Sequence, residues 1–144
     1  AIRFHEKQVR PMGRSACGVG GVWLDKNDEV VSMIPVSGEG TLLVVTENGY
    51  GKRSPIEEYR LTARGGKGII TVKNTPRNGP VVCVKQVSDA DELMIISAKG
   101  VIIRLPIQGV SEMGRNTQGV RLIHLDAGDK VADVAMVVAG SEEE

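Results

Sequence analysis

Apolar residues along this chain fall in short runs rather than at helical intervals. The runs TLLVVT (41–46), PVVCVKQV (80–87), ELMIIS (92–97) and KVADVAMVV (130–138) are rich in Val, Ile and Leu. Their length and β-branched content predict strands. Asn48-Gly49 follows the first run and predicts a tight hairpin, since glycine takes positive φ without a steric cost. The return strand is then GYGKRSPI (49–56), with Pro55 near its end. Lys99-Gly100 plays the same part between ELMIIS and VIIRLPI. GIITVK (68–73) and GVRLIHL (119–125) read as third strands, and Asn78-Gly79 marks the loop before a fourth. No segment carries an apolar period of 3.6 over a useful length, so the expected fold class is all-β.

The pattern repeats. MGRSACGV (12–19), TARGGKGI (62–69) and MGRNTQGV (113–120) share a frame. Arg14, Arg64 and Arg115 are separated by 50 and 51 residues, as are Gly18, Gly68 and Gly119. Arg3, Arg53 and Arg104 keep that spacing, with Val9, Tyr59 and Val110 and with Val22, Val72 and Ile123. Four short strands in about 50 residues are the mark of a propeller blade. The expected array of four-stranded antiparallel blades is a partial blade at 1–36, starting inside a return strand at AIRF, and full blades at 41–87 and 92–138. Residues 139–144 begin an acidic tail. Such sheets need neighbours to cover their faces and edges, which points to a longer chain or to oligomerisation. An opening at Ala1 in strand-like sequence also suggests a fragment. Because the RGGKG stretch is one copy of a repeat, it is not a unique phosphate loop. Lys67 is followed by Gly68 and Ile69, not by the hydroxyl residue that a nucleotide-binding P-loop requires.

Composition sharpens this picture. The chain has 144 residues, enough for one domain with a real core. Aromatics are only Phe4, Trp23, Tyr50 and Tyr59, so Val and Ile must fill the core, with Trp23 expected between blades. Eighteen basic residues balance 18 acidic ones, yet residues 50–73 are locally basic. The repeated Arg3, Arg14, Arg53, Arg64, Arg104 and Arg115 have two readings. They are salt-bridge partners between blades, or a cationic rim whose planar guanidinium forks bind phosphate. Lys7, Arg10, Lys52, Arg60, Lys67 and Arg121 lie near them in sequence and would thicken such a rim. Glu57-Glu58 reads as a solvated turn or as an ion-pair partner for Arg60 or Arg64. Scarce aromatics argue against base stacking and favour sequence-independent contact with a duplex backbone. His5 and His124 lack partners at metal-ligand spacing, and no nucleophilic or acid–base set emerges. No catalytic residue, metal or cofactor is therefore expected. Cys17 and Cys83 stand alone, which suits reduced thiols in the cytoplasm. No apolar run approaches the roughly 20 residues of a membrane span.

Arg3 together with MGRSACGV, NGYGKRSPIEEY, RGGKGI, TPRNGPVV and MGRNTQGVRLI makes the chain resemble the C-terminal domain of bacterial DNA gyrase A, over essentially its whole length. The resemblance implies the last blades of a six-bladed β-pinwheel whose basic rim wraps double-stranded DNA. The chain would then be a non-catalytic part of an ATP-dependent type IIA topoisomerase. Its partners would be duplex DNA, the rest of gyrase A and, in the holoenzyme, gyrase B. The family's glutamine- and arginine-rich box lies in the first blade. Residues 62–68 resemble it but lack its glutamine and leading arginine. The breakage-reunion core and its catalytic tyrosine are absent, and neither Tyr50 nor Tyr59 matches it. Alternatives are the corresponding C-terminal domain of topoisomerase IV and a propeller-like protein-interaction module.

Overall fold

The computed structural model describes residues 1–137; residue 138 and the acidic stretch 139–144 lie outside the described residues. Its strands are β1 (Thr41–Thr46), β2 (Tyr50–Pro55), β3 (Val81–Val87), β4 (Glu92–Ser97), β5 (Ile102–Pro106), β6 (Val120–Arg121) and β7 (Val131–Val137). No α-helix occurs among the described residues. Three short 3-10 turns, Glu6–Gln8, Ile56–Glu58 and Ile107–Gly109, recur at the repeat spacing.

The hairpins form where the turn residues place them. Gly49 (φ +84°) and Gly100 (φ +90°) sit in the left-handed region between β1 and β2 and between β4 and β5. β1 pairs antiparallel with β2 on one edge and β3 on the other. β4 likewise pairs with β5 and β7.

The sheets do not coincide with the sequence repeats. One sheet has the order β3-β1-β2-β6 and the other β5-β4-β7. β6 comes from the third repeat but adds to the free edge of β2, with Gly51 opposite Val120 and Tyr50 opposite Arg121. The same hand-over occurs one repeat earlier. Ala1 and Ile69 exchange backbone hydrogen bonds of 2.7 Å, and Arg3 bridges Leu61 just as Arg53 bridges Glu112. The return strands of the first two repeats are thus completed by the repeat that follows each.

This explains where the expected strands shorten. Of residues 119–125 only Val120–Arg121 form a ladder. Residues 68–73 form no strand, because the edge they dock against is the first few residues of the chain. The first repeat has no counterpart of β1 in this sequence, so it carries no strand of its own. Its residues 32–37 lie along β3 through side-chain contacts, with Ser37 and the Gln86 amide exchanging two hydrogen bonds.

Burial follows the stacking. Leu43 and Val45 of β1 meet Leu93 and Ile95 of β4 and Val131 and Val134 of β7 in the main core. Leu43, Leu93, Ile95 and Ile107 are fully buried, each stabilising the fold by about 1.5–3 kcal/mol relative to an exposed side chain. The opposite face of β1 buries Leu42 with Ile56 and Tyr59, against Ile34, Val36 and Ile69. β1 is therefore covered on both sides, as a propeller blade is. Trp23, expected between blades, is instead 67% exposed, since it lies in the first repeat, beyond the two-sheet core.

Two glycines separate local strain from crowding. An added Cβ at Gly119 (φ +80°) would lie 2.7 Å from the Gly51 carbonyl oxygen, whereas one at Gly100 would meet nothing within 4 Å. Gly100→Ala should cost about 1–2 kcal/mol, the conformational penalty alone. Gly119→Ala should cost about 1–3 kcal/mol more from crowding at the β2–β6 junction. Urea unfolding of both variants checks the difference; equal losses would show that the junction yields freely.

Candidate nucleic-acid interface

Four of the six repeated arginines, Arg3, Arg53, Arg64 and Arg115, turn toward main-chain carbonyls. Arg53 is buried, donates from Nε to the Val110 carbonyl at 2.9 Å, and pairs with Asp89. Arg3 donates from Nη1 to the Tyr59 carbonyl at 3.1 Å and to that of Ile56 at 3.2 Å. Tyr59 and Val110 occupy the same repeat position, so one contact is made twice. The second column does likewise. Arg64 reaches the Gly20 carbonyl at 2.7 Å and Arg115 the Ile70 carbonyl at 2.8 Å. Gly20 and Ile70 are again repeat equivalents. Arg64 also donates to the Gln8 carbonyl, and Arg115 lies 6.0 Å from the centre of the Tyr59 ring and 4.0 Å from Glu58. These guanidiniums join successive repeats through main-chain oxygens.

Lys52 and Arg53 therefore do not lie on an outer rim. Lys52 is fully buried, and its ammonium donates to the carbonyls of Gly114 and Arg115 and to the Thr117 hydroxyl. Its neighbourhood in sequence suggested a surface cation. The arrival of the third repeat on that strand buries it instead. Arg104, third in its column, lies on β5, whose outer edge is uncovered here; it is exposed and pairs with Glu92. Lys67 is exposed and 3.1 Å from Asp25. Glu58, expected as a partner for Arg60 or Arg64, faces Arg115.

The remaining expected rim cations, Lys7, Arg10, Arg14, Arg60 and Arg121, are exposed and lie in no ion pair among the described residues. Arg10 and Arg60 occupy one repeat position, just after successive 3-10 turns. The repeat thus presents them at equivalent places on neighbouring units. Arg77, which sequence reasoning passed over, shares these properties and joins Arg121 at Tyr50. The available signal was its position outside the repeat columns, where a cation has no scaffold duty to explain it.

Among the described residues no cluster of His, Cys, Asp or Glu could hold a metal ion. Cys17 and Cys83 are free thiols. No helix among the described residues is long and apolar enough to cross a membrane.

A family described as the DNA gyrase C-terminal domain, beta-propeller, matches residues 1–37, 40–86 and 91–137. The DNA gyrase A protein of Staphylococcus aureus (strain MRSA252) is 50% identical over 145 residues, covering 99% of this chain and 16% of its own length. The chain therefore spans about a sixth of that relative. The structure of a DNA gyrase A C-terminal domain superposes with a TM-score of 0.88 at 32% identity, over 94% of this chain and 46% of that one. The C-terminal domain of a DNA topoisomerase IV gives a TM-score of 0.86 over 94% of this chain and 43% of that one. At 22% identity this second likeness is one of fold.

The buried lysine leaves an electrostatic signature. Burial lowers the Lys52 ammonium from 10.5 to about 8, with Arg115 adding to the effect and Glu58 opposing it. The unfolded chain consequently holds more protons between those two values, and the stability owed to this side chain rises as pH increases from about 8 to 10.5. The difference in unfolding free energy between wild type and Lys52→Met, measured in urea across that range, should shift in favour of wild type. A flat difference would mean that the carbonyl cradle holds the proton as firmly as water does.

Proposed function

The chain belongs to the DNA gyrase C-terminal domain family, and from that premise we propose that it is a non-catalytic duplex-binding part of a type IIA topoisomerase. One observation carries this reading: exposed arginines without a carboxylate partner recur across the repeats, at Arg10 and Arg60 in one column, with Arg14, Arg77 and Arg121 beside them in the set. A protein that binds the phosphate backbone by counterion release needs such cations and needs no pocket. Arg104 and Lys67 are exposed but ion-paired, and reach phosphate only by exchanging partners. Arg3, Arg64 and Arg115 contribute by fixing one repeat against the next.

In the parent enzyme the partners would be duplex DNA, the rest of gyrase A and gyrase B. The free thiols suit a cytoplasmic setting. Bending 20–30 base pairs costs on the order of 1–6 kcal/mol, so stable wrapping needs a longer cationic path than these repeats provide.

Duplex binding should weaken linearly in log–log form with salt, by about 0.9 per phosphate neutralised. Replacing Arg10 and Arg60 together by Gln should lower that slope by about 1.8 and weaken all sequences alike. Fluorescence anisotropy with unrelated duplexes from low to moderate salt checks this. An unchanged slope removes that column from the interface, and absence of binding at low salt overturns the reading.

A further inference from the structure

We propose that Tyr50, Arg77 and Arg121 form a clamp for one backbone phosphate of the duplex, with Tyr50 as its positioning residue. The inference rests on the duplex-binding reading above. Arg77 Nε and Arg121 Nη2 each donate to the Tyr50 hydroxyl oxygen at 3.0 Å. Their guanidinium carbons lie 5.3 and 5.5 Å from the centre of its ring. Two like charges are thus brought to one phenol. Neither has a carboxylate within 4.0 Å among the described residues.

Both main chains are held from outside the pair. Arg121 belongs to β6 and stands opposite Tyr50 in the β2 ladder. Arg77 lies in the loop before β3, where the Asn48 amide donates to the carbonyls of Pro76 and Arg77 at 3.2 Å. The next residue, Asn78, is fully buried and donates to the carbonyls of Lys73 and Gln118. The arginines are therefore anchored at their bases and steered at their tips.

The donor inventory points outward. Because both arginines donate to the phenol oxygen, the hydroxyl hydrogen remains available for another acceptor. Each guanidinium uses only part of its five donors on Tyr50. Arg121 Nη1 donates to His124 Nδ1 at 3.3 Å, which leaves the ring's Nε2–H as a further donor beside the pair. A phosphate diester supplies the negative charge and acceptor oxygens this set lacks. The two guanidiniums also lower the Tyr50 phenol pKa, against the opposing effect of burial.

The repeat separates this cluster from the scaffold. The positions equivalent to Tyr50 and Arg121 in the neighbouring units hold Val101 and Ile70, and the loop before β7 (126–130), the counterpart of the Arg77 loop, holds no arginine. The fold is built there without any of the three side chains, so joining the repeats does not require them.

Two variants of this chain test the clamp by anisotropy with a fluorescent duplex, alongside thermal unfolding. Arg77→Gln with Arg121→Gln should weaken binding roughly tenfold or more, the effect of losing a hydrogen bond to a charged group, and lower the salt slope by about 0.9. Tyr50→Phe keeps both charges and the ring; it should weaken binding severalfold with the slope unchanged. That split is the mark of positioning, which a loss of fold would not produce. Should the arginine variant retain wild-type affinity and slope, the clamp is wrong while the duplex-binding reading stands. Wild-type affinity in Tyr50→Phe overturns the positioning role. If the wild-type chain itself fails to bind duplex, both readings fall.

Discussion

Everything in this structure depends on how the open edge of a return strand is covered. β2 pairs with β1 on one side, and its other edge would present unpaired N–H and C=O groups. The next repeat closes it with β6 and with the bridge between Arg53 and Glu112. Lys52 and Arg53 then cross the junction and donate to the carbonyls of Gly114, Arg115 and Val110. Burying two cations is costly, and main-chain oxygens offset that cost only when they converge. Convergence requires the third repeat to sit in one register. The same contacts that compensate the charges therefore fix the placement of the following unit, and the demand for glycine at position 119 comes from that close approach.

Repetition gives a way to separate scaffold from surface. Arg3 and Arg53 meet carbonyls at equivalent positions, as do Arg64 and Arg115. A residue repeated for the junction is used up by it. Tyr50, Arg77 and Arg121 stand outside that logic, since Val101 and Ile70 take the places of Tyr50 and Arg121 elsewhere and the loop before β7 holds no arginine.

Much of this was legible in the sequence. The period, the all-β class and the turns at Asn48-Gly49 and Lys99-Gly100 follow from local chemistry, because glycine at positive φ and short β-branched apolar runs act within a few residues. The hand-over of β6 to β2 was not legible, since edge pairing between repeats leaves no local pattern. That omission accounts for the site errors: Lys52 and Arg53 look like surface cations until a strand from another repeat covers them. It also accounts for the shortened third strands. Trp23 shows the same limit from the other side, for an aromatic residue is buried only where a neighbour reaches it.

Net charge is a poor guide to such a surface. Eighteen basic and 18 acidic residues cancel on paper, but the two sets are used differently. Several cations spend their hydrogen bonds on carbonyl oxygens, which neutralise no formal charge, while Glu58 and Asp89 approach arginines that already hold a carbonyl. Glu92, Asp25 and Glu47 are matched singly to Arg104, Lys67 and Lys130. What faces a ligand is the remainder after these pairings, and in this set it contains Arg10, Arg14, Arg60, Arg77 and Arg121. Because exposed charges interact only over roughly a Debye length of 8–10 Å at moderate salt, a polyanion responds to that local remainder. A formally neutral chain can in this way present cationic positions at the spacing its repeats dictate.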